Sequence, residues 1–136
     1  MSRFLAETQQ KYTQKGGVRP FGISTFLAGF EDNVPHFFQT EPSGAYSEWK
    51  ANAIGKKAKE LREFLELKYK DGLNEDQAIR LALETMLEVV ESHKSIEVCV
   101  MTTGNQTRME SEEKLAAICK EISDEKQAAE DAKKNI

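Results

Sequence analysis

The stretch QKYTQKGGVRPFGISTFLAG, residues 10–29, decides how the rest of the chain is organised. It begins as a polar helix, and Gly16 and Gly17 end that helix because glycine adopts positive φ without a clash at Cβ. Pro20 has no amide proton and biases Arg19 towards extended geometry, so the helix cannot continue. The stretch therefore predicts a helix-to-strand corner (residues 12–19), with the cationic side chain of Arg19 at its bend.

The segments around this corner predict a helix followed by three strands. We expect a helix over residues 2–15 and strands over residues 21–30, 35–40 and 45–53. The first strand carries apolar side chains on both faces: Phe21, Ile23 and Leu27 on one, Phe26, Ala28 and Phe30 on the other. Because two-sided burial is expected only where a sheet is covered on both sides, helices or a second sheet should flank this strand.

The second half of the chain predicts three helices and two strands. Apolar residues at helical spacing indicate helices over residues 56–69 and about 75–90, and Asn74 with Gln77 fits a capping box. The second of these helices is predicted to bury Ile79, Ala82, Leu83, Met86 and Val90. Residues 95–103 alternate as a strand, a short strand lies near residues 107–109, and Ser111 caps a last helix. Strands followed by helices, rather than alternating units, indicate an α+β fold.

The last helix divides the chain into two predicted regions. Its apolar positions stop at Ile122, and charged residues, glutamine and alanine dominate beyond it. We therefore expect a folded domain over residues 1–122 and a charged helical tail over residues 123–136 that frays at its end.

Composition favours one domain with a modest core, since the chain has 136 residues of which 39% are hydrophobic. The formal net charge is −4, and acids alternate with bases, so no cationic face for nucleic acid is predicted. No apolar run approaches membrane-spanning length, so no membrane partner is expected. Cys99 and Cys119 lack metal-ligand spacing and are predicted to be buried, reduced thiols. We expect a soluble chain of the cytoplasm and nucleus, without a cofactor or metal.

Several long segments resemble the proteasome α-type subunit family. They are KYTQKGGVRPFGIS (residues 11–24), LAGFE (27–31), FQTEPSGAYSEWKANAIG (38–55), LREFLE (61–66), and later MLEVV and SIEV (86–90 and 95–98). Such an ordered set over nearly the whole chain is far more specific than a short motif. The resemblance implies part of an αββα sandwich, with mainly antiparallel sheets between helix layers, as in N-terminal-nucleophile hydrolases. It also implies that the chain corresponds to the C-terminal portion of an α subunit, without the gate-forming tail, first strands and first helix.

The resemblance further implies a role and partners. Family members form the outer heptameric ring of the 20S core, which gates substrate entry for protein degradation. The implied partners are other α subunits in the ring, β subunits below and regulatory particles above. Tyr12, Gly17, Val18 and Arg19 stand at positions of a family loop that helps organise neighbouring subunits, which makes them candidate subunit contacts. A tight corner with a solvated arginine explains Arg19 equally well when it is taken alone.

Catalysis is the first alternative, because relatives of this fold use an N-terminal Thr, Ser or Cys as nucleophile. Removal of Met1 would expose Ser2, and TTG (residues 102–104) resembles the start of a catalytic subunit. Ser2 opens a helix rather than a central strand, however, and turn chemistry explains residues 102–104. His36 and His93 lack an Asp, Ser or Cys at motif spacing. We therefore predict no catalytic residue, and a free-standing interaction module remains as the second alternative.

Overall fold

The computed structural model describes residues 1–14, 16–17, 19 and 22–136. The contacts within the chain divide it into two compact units. The sheet unit comprises Met1–Ile54 and Met101–Thr107, and the helical unit comprises Gly55–Val100 and Arg108–Ile136.

The sheet unit contains one helix and a three-stranded antiparallel sheet of order β1-β2-β3. Its elements are α1 (Ser2–Gln14), β1 (Thr25–Glu31), β2 (Val34–Thr40) and β3 (Tyr46–Glu48). The turn between β1 and β2 has two residues, Asp32 and Asn33, both at positive φ, as the tight turns of hairpins require. Helix α1 packs against β2 and β3.

Three predicted strands are shorter than the sequence suggested. The strand predicted over residues 95–103 runs only over Cys99–Thr102, and Ser95 ends a short 3₁₀ helix instead. Strand β1 begins at Thr25, which pairs with Thr40 at the end of β2. The residues before Thr25 therefore have no partner on β2. Ile23 therefore precedes the strand and is 63% exposed, and Phe21 lies outside the described residues. The predicted third strand contracts to Tyr46–Glu48, because the ladder with β2 ends there.

The helical unit contains three α-helices: α2 (Ala58–Lys68), α3 (Glu75–Met86) and α4 (Glu112–Lys134). A short 3₁₀ helix covers His93–Ser95, and β4 (Cys99–Thr102) forms an antiparallel hairpin with β5 (Gln106–Met109). The base of this hairpin belongs to the helical unit and its tip to the sheet unit. The hydrophobic core of the helical unit consists of Ile79, Leu83, Ile96, Leu115, Cys119 and Ile122.

Both predicted helix starts are confirmed. The side chain of Asn74 accepts a hydrogen bond from the Gln77 amide at 2.8 Å, and Gln77 Oε1 accepts one from the Asn74 amide at 3.0 Å. This reciprocal pair is the capping box. Ser111 Oγ accepts a hydrogen bond from the Lys114 amide at 3.2 Å and so caps α4.

The predicted end and inner face of α3 are partly wrong. The helix ends at Met86, because the amides of Glu88 and Val89 bond to carbonyls three residues back and tighten the chain into turns. Of the predicted buried residues, Ile79 and Leu83 are buried, Ala82 and Met86 are exposed, and Val90 is half-buried beyond the helix. Thr85 is buried instead and donates its hydroxyl proton to the Leu81 carbonyl at 2.7 Å, which satisfies it within the helix.

The two cysteines lie in different environments. Cys119 is buried as predicted, and burial raises the pKa of its thiol. Cys99 is exposed, which contradicts the prediction, because alternation along the chain turns Ile96, Val98 and Val100 inward instead.

Helix α4 continues well beyond its buried portion. Its last buried residue is Ile122, and residues 123–136 are all exposed although the helix runs to Lys134. The start of this exposed part is linked to α3 by the ion pair of Arg80 with Glu125, and to the turn after α3 by the ion pair of Lys126 with Glu88. The predicted boundary after residue 122 thus falls inside one helix, and the fraying of its end stays a prediction.

A charge network joins β5 to the starts of α3 and α4. Arg108 pairs with Glu75 in the first turn of α3 and, at 2.9 Å, with Glu110. Lys114 lies 3.2 Å from the other carboxylate oxygen of Glu110, whose side chain is only 6% exposed. The hydrogen bond from Arg108 lowers the pKa of Glu110, and Lys114 adds to the effect.

This network predicts a pH-dependent contribution to stability. Because the pKa of Glu110 is lower in the folded chain than in the unfolded one, its carboxylate stabilises the fold at neutral pH. The contribution is lost as the pH falls through the lowered pKa. We expect Glu110→Gln to unfold at a lower temperature than the wild type at neutral pH, with the gap closing in acid. Thermal unfolding across a pH series measures this gap.

The matched control is Glu130→Gln, since Glu130 is an exposed residue of α4 with no ion pair among the residues the structure describes. Its unfolding temperature should not differ from that of the wild type by an amount that disappears at acid pH. A gap for Glu110→Gln that stays constant with pH would contradict the role given to its carboxylate.

Candidate functional site

The predicted subunit contacts lie where α1 gives way to the corner. Tyr12 lies in the last part of α1 and is 40% exposed. Gly17 occupies an exposed turn at a φ of 82°, as expected for a residue that ends the helix, and Arg19 is exposed. Val18 lies outside the described residues, as do Lys15, Pro20 and Phe21. The role of these residues in subunit contact stays a prediction.

The direction of α1, and with it the position of Tyr12, is fixed by a close contact at Gly44. This glycine lies in the turn between β2 and β3 at a φ of 89°. A Cβ atom there would lie 2.5 Å from Gln10 Cβ and 3.0 Å from the Ala6 carbonyl oxygen. Gly44 is therefore required both for its backbone conformation and for the approach of the turn to the helix.

The fully buried side chains of α1 and of the end of β2 are mostly polar. Gln39 and Thr40 at the end of β2 are 6% and 0% exposed, and Gln9 on α1 is 5% exposed. Gln39 Oε1 accepts a hydrogen bond from Asn52 Nδ2 at 2.6 Å. Gln9 Oε1 and Thr40 Oγ1 have no hydrogen-bond partner within the described part of the chain. The packing of α1 on the sheet thus gains little stability from apolar burial and depends on close steric fit.

A hollow of about 500 Å³ lies within the sheet unit. Its walls include Ser2, His36 and Glu48 together with the apolar side chains of Leu27, Phe38 and Met101. His36 Nδ1 lies 2.7 Å from Glu48 Oε1. His36 thus has a carboxylate partner that the sequence did not predict, because Glu48 does not lie at motif spacing. The sheet register places Glu48 opposite Phe38, two residues from His36, and only strand pairing reveals that proximity.

The residues considered for catalysis are not all in one place. Ser2 is the first residue of α1 and shares the hollow with His36. Thr102 belongs to β4, where its hydroxyl approaches the Gln106 carbonyl at 3.5 Å, and Thr103 lies in the hairpin turn. His93 Nε2 lies 4.0 Å from Glu112 in the helical unit. Thr102 and Thr103 are therefore parts of the hairpin's strand and turn, as the sequence predicted.

The described residues contain no group of three or more His, Cys, Asp or Glu side chains that could hold a metal ion. Of the helices described, none combines the length and apolar character needed to cross a membrane.

Comparison with known proteins defines the class of this chain. The sequence model of the family described as Proteasome subunit matches residues 1–101. The chain belongs to the proteasome subunit family. This confirms the resemblance seen in the sequence, and the helices and antiparallel sheets agree with the α+β fold that it implied.

Within that family, similar relatives are named as α subunits. The chain is 50% identical over 137 residues to proteasome subunit alpha type-7 of Cicer arietinum, an alignment that covers 98% of this chain and 55% of the relative. It is 43% identical over 137 residues to the alpha type-7 subunit of Dictyostelium discoideum, covering 99% and 54%. It is 45% identical over 137 residues to the alpha type-8 subunit of Mus musculus, covering 98% and 55%. The chain thus spans about half the length of the curated relatives it matches.

The contact at Gly44 predicts a specific loss of stability. Gly44→Ala introduces both backbone strain and a clash with Gln10, whereas Gly72→Ala introduces strain alone, because Gly72 has a φ of 81° and nothing within 4 Å of its Cβ position. We expect Gly44→Ala to lose about 1–3 kcal/mol more than Gly72→Ala, which is the usual range for overpacking. Denaturant unfolding gives the two values, and amide exchange should locate the loss to α1 and β2.

A second variant separates the clash from the strain. Gln10→Gly removes the clashing Cβ, so it should recover part of the loss caused by Gly44→Ala, after subtraction of its own helix cost of about 1 kcal/mol. Equal losses for Gly44→Ala and Gly72→Ala, or strictly additive effects with Gln10→Gly, would show that the contact does not hold α1.

Proposed function

We propose that this chain is a non-catalytic structural subunit, or a portion of one, of the α ring of the 20S proteasome core. The observation that carries the proposal is the 50% identity to an alpha type-7 subunit over 98% of this chain. In this role the chain contributes to ring assembly and thereby to ubiquitin-dependent protein degradation. Its proposed partners are neighbouring α subunits, β subunits below and regulatory particles above.

The geometry of the sheet unit supports this role at the corner. Gly44 holds α1 against the β2–β3 turn, and Gly17 turns the chain out of the helix. Among the described residues of the corner, Gly17 lies in a turn and Arg19 is exposed. A guanidinium so presented can bind a carboxylate or backbone carbonyls of a neighbouring subunit. We propose Tyr12, Gly17, Val18 and Arg19 as that contact.

Substitution of Arg19 tests the contact. In a full-length alpha type-7 subunit carrying this sequence, Arg19→Ala should weaken ring assembly or loosen the closed gate while leaving the fold intact. Loss of an arginine anchor costs about 1–2 kcal/mol at an interface, hence about tenfold or more in association. Native gels of reconstituted rings report assembly, and the basal peptidase rate of reconstituted particles reports gate closure.

Arg3→Ala is the matched control, because Arg3 is an exposed arginine near the start of α1 that pairs with Glu7 at 3.1 Å, away from the corner. It should leave assembly unchanged. If Arg19→Ala also left both assembly and the basal peptidase rate unchanged, the corner would not be a subunit contact.

The same fold class leaves a threonine-type peptidase as the alternative, and Ser2, Thr103 and His36 are the residues by which to test it. We expect the purified chain to hydrolyse no fluorogenic peptide above the level of Ser2→Ala, Thr103→Ala and His36→Ala variants, because Ser2 opens a helix and Thr103 lies in a hairpin turn. Activity that vanished in any of these variants would overturn the non-catalytic role. Co-purification with other proteasome subunits separates the ring role from a free-standing interaction module.

A further inference from the structure

The α2–α3 turn, residues 70–73, contains the only aspartate of the chain that is followed by glycine. Asp71 and Gly72 are both exposed, and Gly72 adopts a φ of 81°. Among the residues that the structure describes, the Gly72 amide donates to no backbone carbonyl. The nitrogen that follows the Asp71 carboxyl group in the chain is therefore not held by a hydrogen bond of the backbone.

The space around Gly72 is open. A Cβ atom added at this position would have no heavy atom within 4 Å, whereas one added at Gly44 would clash with α1. The backbone of the α2–α3 turn can therefore change its path at Gly72 without displacing a packed neighbour.

The helices on either side of this turn are closed by hydrogen bonds of their own. At the end of α2, the Tyr69 amide donates to the Leu65 carbonyl at 2.7 Å. At the start of α3, the capping box joins Asn74 to Gln77. Neither set of bonds includes residues 70–73, so a change of backbone within that segment leaves both helix ends intact.

An aspartate followed by an unhindered amide can react with it. The Gly72 nitrogen loses its proton and attacks Cγ of Asp71, a C–N bond forms, and one carboxyl oxygen leaves as water. Water then opens the resulting five-membered imide. Opening at Cγ restores aspartate, whereas opening at the α-carbonyl routes the backbone through the side chain and gives isoaspartate. Glycine favours the attack because it has no Cβ beside the nitrogen.

We propose that Asp71 is a site of isoaspartate formation in the folded chain. The product has one more methylene group in its backbone than aspartate has, and the open α2–α3 turn takes up this extra length. Isoaspartate also exposes a carboxylate that a protein isoaspartyl methyltransferase recognises and methylates with S-adenosylmethionine. The site depends on the α2–α3 turn alone, so it does not rest on the proposed role in a ring.

Ageing of the full 136-residue chain at neutral pH and physiological temperature tests the site. Isoaspartyl methyltransferase with labelled S-adenosylmethionine counts the modified residues, and peptide mapping by mass spectrometry locates them. We expect label at Asp71 to accumulate at least about tenfold faster than at Asp32, which asparagine follows in the β1–β2 turn, because small misplacements of reacting groups cost that much. Amide exchange on the same samples should show α2 and α3 still protected. Loss of that protection before label appears would overturn a reaction of the folded chain.

Two variants separate the α2–α3 turn from the dipeptide it contains. Gly72→Ala places a Cβ beside the attacking nitrogen and should slow labelling at Asp71 about tenfold or more. Asn33→Gly creates the same dipeptide in the β1–β2 turn, where the strand ladder holds both ends, so Asp32 should still be labelled more slowly than Asp71. Wild-type label at Asp71 no greater than at Asp32, undiminished label in Gly72→Ala, or equal label at both aspartates in Asn33→Gly would each overturn the proposal.

Discussion

The placement of α1 on its sheet depends on a backbone contact at Gly44 rather than on a hydrophobic core. Within the described part of the sheet unit, the buried residues are Ala6, Gln9, Gln39 and Thr40, and only the first is apolar. The helical unit, by contrast, buries Leu61, Leu65 and a continuous cluster around Leu83. Because apolar burial is the main driving force of folding, the two units hold their helices by different means. In the sheet unit, the close steric fit at Gly44 positions α1, although little apolar surface is buried there.

A sheet unit with so little apolar burial has consequences for function. Phe26, Leu27 and Phe30 of β1 are only half-buried. Val34 and Tyr46 on the following strands are 53% and 48% exposed. Each large side chain left in water forgoes about 1.5–3 kcal/mol, while whole domains are stable by about 5–15 kcal/mol. A free-standing interaction module would have to tolerate that loss alone. The half-buried apolar side chains therefore disfavour a free-standing interaction module.

Local sequence signals predicted the helix caps and ends well, but they did not predict the contacts made by residues far apart in the sequence. The capping box at Asn74, the cap at Ser111 and the helix end before Gly17 follow from neighbouring residues, so the sequence sufficed. The pair of His36 with Glu48 and the bonds between Asn105 and Phe30 join residues 12 and 75 positions apart, and no spacing rule reaches them. Strand limits were misjudged for the same reason, since a strand ends where its partner does. The corner itself is defined by chemistry, but what it contacts depends on chains outside this one.

The first turn of α1 also bears on the choice between a structural subunit and a peptidase. The Leu5 amide donates to the Met1 carbonyl at 3.0 Å, so Met1 accepts the first hydrogen bond of the helix. Exposing Ser2 as an N-terminal nucleophile requires removal of Met1, and that removal takes away the acceptor. The new terminus would then lie on a helix end short of one of its bonds, where chains fray. A nucleophile must be held within a fraction of an ångström, and a misplacement of about 1 Å can lower the rate about 100-fold. The cleavage that creates this nucleophile therefore loosens its support, which favours a structural use of α1.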